Sequence, residues 1–198
     1  KLKKQLERVR AHRSLVRRGR DKLPLVSMVG YTNAGKSSLF NSLTAANVLV
    51  ADQLFATLDP TIRKMELAGI GTVLLSDTVG FISNLPHHLV ASFKSTLEET
   101  ICAHVLLVVL DVGDRNAPEQ FETVRAVLDE IDARAQPRVL VLNKVDTLTE
   151  MRQRGLLEGD PLETWLERIP DAIPVSAKTG EGLESLAERV IELMKGPV

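Results

Sequence analysis

The segment Gly30-Tyr31-Thr32-Asn33-Ala34-Gly35-Lys36-Ser37 places two glycines five residues apart, then a lysine and a hydroxyl, directly behind the apolar run Leu25-Val26-Ser27-Met28-Val29. Chemistry explains the spelling. Glycines let successive backbone N–H groups turn inward around an anion, and a helix opening at Lys36 adds the positive end of its dipole. Lys36 can then reach the β- and γ-phosphates of a triphosphate, while the Ser37 hydroxyl can coordinate Mg²⁺. Residues Gly30 to Ser38 thus read as a phosphate loop, with the N–H groups of residues 33–38 and Lys36 on the ligand. A glycine-rich turn that binds nothing fits poorly, because a strand-like run precedes this segment and a helix-like one, Ser37-Ser38-Leu39-Phe40-Asn41, follows it.

Further motifs close later apolar runs. Asp77-Thr78-Val79-Gly80 follows Thr72 to Ser76: an Asp there can hold Mg²⁺ through water, and Gly80 can offer its N–H to a γ-phosphate oxygen. The pattern alone is weak, since Asp and Gly are common in turns. Asn143-Lys144-Val145-Asp146 follows Arg138 to Leu142 and discriminates better. An Asp carboxylate only accepts hydrogen bonds, and guanine presents two adjacent donors where adenine has no matching pair. A site of this kind rejects the wrong base by a factor of ~10⁴. Ser176-Ala177-Lys178 ends the next strand-like run, placed to meet the guanine edge through backbone N–H groups. The implied ligand is GTP or GDP.

Between the first two motifs lies Phe55-Ala56-Thr57-Leu58-Asp59-Pro60-Thr61. A loop that senses the γ-phosphate needs a hydroxyl for Mg²⁺, and spacing leaves Thr57 and Thr61 both open. Phe81 follows Gly80 where many small GTPases place a water-orienting glutamine, so slow intrinsic hydrolysis is expected. Asn33 has two readings. Its side-chain oxygen can help hold K⁺ near the bridging phosphate oxygen, or the residue simply tolerates a left-handed backbone.

These residues need a scaffold that brings them together. Expected strands are 25–29, 61–68, 72–77, 104–111, 138–143 and 172–176; expected helices are 36–44, 86–101, 117–134, 160–168 and 181–195. The alternation predicts an α/β fold: a doubly wound, mostly parallel six-stranded sheet with helices on both faces. Val73-Leu74-Leu75, Val105 to Leu110 and Val139 to Leu142 are apolar on both faces, as buried parallel strands require. Ile62 to Leu67 is charged and mixed, as at an edge. Ligands in such sheets bind beyond the carboxyl ends of the strands, where every motif falls.

The 198 residues, 44% of them hydrophobic, suffice for one core, and one cysteine excludes a disulfide framework. No apolar stretch approaches a membrane span. A first residue of lysine predicts a fragment. The net charge of −1 divides into +8 on residues 1–22 and −9 on the rest. That arm, expected to be helical over 1–18, reads either as a nucleic-acid-facing end or as a solvated helix with Leu2, Leu6, Val9, Leu15 and Val16 on its apolar side. The predicted boundary puts a basic helical segment at 1–21 and the main domain at 22–198. His87 and His88 read as surface residues, Cys102 as core, Trp165 as core with Leu162, Leu166 and Ile169, and Lys144 as packing along the phosphate loop.

With these elements placed, the chain resembles the HflX family of ribosome-associated GTPases. The match is carried by Gly30–Ser38 (GYTNAGKSS), by Ala51 to Thr61 (ADQLFATLDPT), and by Asp77-Thr78-Val79-Gly80-Phe81-Ile82 followed by Leu85-Pro86. ADQLFATLDPT is the specific part. The resemblance implies an isolated P-loop GTPase G domain and a cytoplasmic, Mg²⁺-dependent, monomeric GTP hydrolase. It also implies binding to the large ribosomal subunit and a part in splitting or rescuing stalled ribosomes. Thr57 is favoured over Thr61 by the resemblance, with Lys36, Gly80 and Asn33 completing the catalytic set. A GTP-gated binding module with negligible turnover, and a ribosome-assembly GTPase of the Obg or Era type, are the rival readings.

Overall fold

The computed structural model describes residues 23–44, 61–78, 80, 98–131, 133, 135–157 and 159–196. Its strands are β1 (Leu25–Gly30), β2 (Thr61–Leu67), β3 (Gly71–Asp77), β4 (Val105–Asp111), β5 (Arg138–Asn143) and β6 (Ile173–Pro174). The helices are α1 (Lys36–Thr44), α2 (Glu98–Ile101), α3 (Ala117–Glu130), α4 (Val145–Gln153), α5 (Pro161–Arg168) and α6 (Leu183–Lys195). The strands form one sheet in the order β2-β3-β1-β4-β5-β6. All neighbours pair in parallel except β2, which runs antiparallel to β3 at the edge. The expected fold class is therefore observed. Because β1 has β3 on one side and β4 on the other, the chain reverses its winding there, and a crevice opens at the carboxyl end of β1.

Strand alternation divides the core into two layers. Val26, Met28, Leu107, Val109 and Val141 meet Leu39 and Phe40 of α1 and Leu186 and Val190 of α6. The opposite face sets Val29, Leu106, Val108 and Leu142 against Phe121 and Leu128 of α3, Leu148 of α4 and Trp165 of α5. Each large side chain so buried contributes about 1.5–3 kcal/mol, which makes the strand ends a rigid platform. At the β2 edge Arg63 and Lys64 are exposed while Met65 and Leu67 are buried, and exposed charge discourages pairing with a further strand.

Several expectations need adjustment. α4 was not anticipated: Val145 to Gln153 is threonine-rich and buries only Val145 and Leu148, too little apolar periodicity to signal a helix. α3 stops at Glu130 because Ile131 and Ala133 turn into the core, with the Ala133 N–H donating to Leu128 O at 2.9 Å. β6 shrinks to two residues, one of them a proline that cannot donate to a ladder. Cys102, read as core, is exposed; it sits in the turn before β4, and Ala103 takes the buried position. Trp165 is buried as expected, edge-on to Phe121 with ring centroids 5.4 Å apart. The basic arm at 1–22, the loop Phe55 to Asp59 with Thr57, Val79, Phe81, His87 and His88 lie outside the described residues, as does most of the helix expected at 86–101, whose last four residues form α2. Among the described residues no helix is long and apolar enough to cross a membrane.

Candidate functional site

The phosphate loop joins β1 to α1 at the crevice. Asn33 sits in the left-handed region at φ 63° and is exposed, so the backbone reading of this asparagine is observed directly. Gly35 is also left-handed (φ 88°), and a Cβ there would lie 2.2 Å from Asn143 Nδ2. Any side chain there would strain the backbone and press on Asn143. The loop closes on itself through the Ala34 N–H to Tyr31 O bond (3.3 Å), and Leu39 N–H to Gly35 O (2.9 Å) starts the α1 ladder.

Lys36, only 7% exposed, curls back over the loop and donates to Gly30 O (3.2 Å) and Tyr31 O (2.9 Å). Burial lowers its pKa from 10.5 to about 8, and the nearby Asp77 carboxylate offsets part of that effect. The ammonium is thus held inside the concavity ready for an anion. Ser37 Oγ donates to Asp77 Oδ2 at 2.7 Å, which brings the two expected metal-holding groups together. Both are hard oxygen donors at the same corner of the site, and Asp77 is fully buried. This donor set fits Mg²⁺, which takes one or two protein oxygens and fills its shell with water and phosphate. Thr78 turns its hydroxyl inward to Met28 O (2.6 Å) and pins the end of β3 to β1. Gly80 comes so close to the loop that a Cβ would fall 2.8 Å from Thr32 Cα and 3.1 Å from Lys36 Nζ. Thr61 begins β2 opposite Asp77.

Asn143 ties the two ends of the site together. Its Nδ2 donates to Ala34 O (2.9 Å) in the phosphate loop, and its Oδ1 accepts from the Ala177 N–H (3.1 Å). Lys144, left-handed at φ 68°, lies along the loop as expected: its Cε is 3.8 Å from where a Gly35 Cβ would be. Asp146 occupies the first turn of α4, where the helix dipole favours a carboxylate. One of its oxygens, Oδ1, accepts from Ser176 Oγ at 2.6 Å, and Ser176 in turn accepts from the Thr179 N–H (3.1 Å). Lys178 Nζ stands 3.7 Å from Asp146 Oδ2. Two contributors were not read from the sequence. Ser42 of α1 donates to Ala177 O (2.6 Å), and Asp111 pairs with Lys144 (2.8 Å). Asp111 could have been flagged, because it ends a buried strand at the same carboxyl edge as Asp77 and Asn143.

Comparison with known proteins agrees with this geometry. Residues 25–144 match the sequence family described as 50S ribosome-binding GTPase. The chain is similar to GTPase HflX of Escherichia coli K12, 47% identical over 100% of this chain and 45% of that protein. It is 52% identical to GTPase HflX of Magnetococcus marinus, over 94% of this chain and 41% of that protein. The chain thus spans less than half the length of these curated relatives. A solved GTP-binding protein from Sulfolobus solfataricus in complex with GDP superposes with a TM-score of 0.66 at 28% identity, over 98% of this chain and 58% of that one.

Proposed function

Because the chain belongs to the 50S ribosome-binding GTPase family, we propose that its site binds GTP together with Mg²⁺ and hydrolyses it to GDP and phosphate. The carrying observation is the Asn143 bridge, which makes the phosphate loop and the guanine-reading loops one hydrogen-bonded unit. A base and a triphosphate can then be held in one fixed relation, and positioning is most of what this reaction asks of a protein.

The residues divide the work as follows. Backbone N–H groups of residues 33–38 and the Lys36 ammonium hold the phosphates, and Lys36 leaves its carbonyl partners for the stronger anion. Ser37 and, through water, Asp77 would hold Mg²⁺, which supplies neutralisation of charge on the β- and γ-oxygens. Asp146 accepts from the two guanine donors and is oriented by Ser176. The Gly80 N–H senses the γ-phosphate; the tight approach of Gly80 to Thr32 and Lys36 supports that role. Thr57 is the better switch hydroxyl: the family resemblance favours it, and the Thr61 backbone is paired with Asp77 at the start of the β2–β3 ladder. Water is the nucleophile, and electrostatic stabilisation rather than a protein base drives the step. Asn33, beyond its backbone role, can hold K⁺ beside the developing charge.

We place this activity on the large ribosomal subunit in the cytoplasm, in the splitting or rescue of stalled ribosomes, with residues 1–21 as the end of a helix leading into the GTPase domain. HflX-type relatives matching at 42–52% identity support that placement. Steady-state GTP hydrolysis with and without purified large subunits tests it. Strong stimulation is expected; nucleotide-dependent docking without any stimulation would instead make the chain a GTP-gated binding module, the reading that Phe81 favours.

A further inference from the structure

Asp111 closes β4 with its Cα opposite that of Asn143, and the next amide, Val112 N–H, donates to Asn143 O at 3.1 Å. Both of its carboxylate oxygens are engaged: Oδ1 accepts from the Gly113 N–H (3.1 Å), and Oδ2 lies 2.8 Å from Lys144 Nζ. Rotation of the carboxylate would lose one of these partners. Lys144 is constrained at its other end as well. Its left-handed backbone, disfavoured for a residue with a side chain, is held by Thr147, whose N–H (3.0 Å) and Oγ1 (2.7 Å) both donate to Lys144 O. Between these anchors the aliphatic stem runs past Gly35. The side chains of Lys144 and Asp111 are 29% and 20% exposed, sheltered beyond the surface pairs that contribute little.

We propose that Asp111 is a positioning residue for the nucleotide. It holds the Lys144 ammonium so that the lysine stem forms a fixed wall between the phosphate loop and the guanine-reading Asp146, and thereby sets how long the nucleotide stays bound. This rests on the guanine-nucleotide reading given above. A competing effect has the opposite sign. A carboxylate near a polyanionic ligand repels it, so removing the charge would by itself tighten binding and slow dissociation. Direction therefore separates positioning from simple charge.

The test is the dissociation rate of fluorescent GDP from the full chain, chased with unlabelled GDP. Asp111→Asn keeps the shape and an acceptor for the Gly113 N–H but lets go of the lysine. Dissociation is expected to accelerate roughly five- to tenfold, with KM for GTP raised in step and kcat within about twofold. Lys144→Met is expected to accelerate dissociation similarly. Adding Asp111→Asn to it should bring no further acceleration, and loss of the carboxylate's repulsion should if anything slow release, because the carboxylate positions the nucleotide only through the lysine. Asp111→Glu, which restores the charge, is expected to recover much of the wild-type residence time, and it keeps the idea testable should Asp111→Asn fold poorly. Unchanged or slower dissociation in Asp111→Asn, or a further acceleration in the double variant, would overturn the proposal. Failure of the wild-type chain to bind GDP would instead remove the nucleotide reading itself.

Discussion

Lys36 carries a conflict of its own, a cation buried to 7% exposure where an anion would sit. Its pKa of about 8 lies below the ordinary 10.5, so the unfolded chain holds more protons than the folded one between those values. The contribution of this group to stability is therefore present above pH 10.5 and is lost as pH falls through 8, a change of about 3 kcal/mol. Binding runs the other way. Phosphate stabilises the charged lysine, so above pH 8 the nucleotide must bring a proton with it, and affinity falls toward tenfold per pH unit. Calorimetry of GDP binding at pH 7, 8 and 9, in buffers of different ionisation enthalpy, should show weakening together with proton uptake. Lys36→Met, similar in volume but uncharged, is expected to lose at least about 100-fold in GDP affinity, the consequence of leaving a phosphate without its buried cation. Asp146→Asn should turn preference from GTP toward xanthosine triphosphate, since an amide can donate to the xanthine oxygen; a variant that still prefers GTP in competition would contradict the role of Asp146.

At the scale of elements, the site depends on how closely loops from separate strands approach one another. Gly35→Ala would drive a methyl to 2.2 Å from Asn143 Nδ2 and strain a left-handed backbone. Thermal unfolding should show a loss of about 1–3 kcal/mol, and GDP titration a loss of affinity beyond that expected for a surface alanine. Asn33→Gly keeps the left-handed turn while removing the side chain. If Asn33 helps hold K⁺, this variant loses any acceleration of GTP hydrolysis by KCl over NaCl at matched ionic strength; an undiminished acceleration leaves the residue its backbone role alone. Much of this layer was legible in the sequence. Strands apolar on both faces and the glycine-lysine-serine signature have local causes, and they emerged where expected. α4 was missed because its stability comes from Val145 and Leu148 docking on the sheet rather than from its own pattern. The Asn143 bridge was also illegible, since its partners lie 109 and 34 residues away in the chain and only the sheet order brings them together. Cys102 and Ala103 show the limit of periodicity at a turn: one residue of register decided which was buried.

Taken whole, the chain sets a basic N-terminal stretch, residues 1–22 at +8, against an acidic remainder at −9. Docking on a nucleic-acid-rich particle through such an arm releases counterions, so stimulation of GTP hydrolysis by large ribosomal subunits should weaken steeply as salt rises. A salt-insensitive stimulation would point away from the arm. Ribosome-stimulated turnover depends on the crevice at the end of β1 being a guanine-nucleotide site. The most direct measurement is calorimetric titration of the chain with GDP and with ADP in the presence of Mg²⁺. The expected result is saturable, one-to-one GDP binding with ADP weaker by a factor of ~10⁴, because adenine leaves the Asp146 carboxylate without its two donors. Equal binding of the two, or binding of neither, would contradict it.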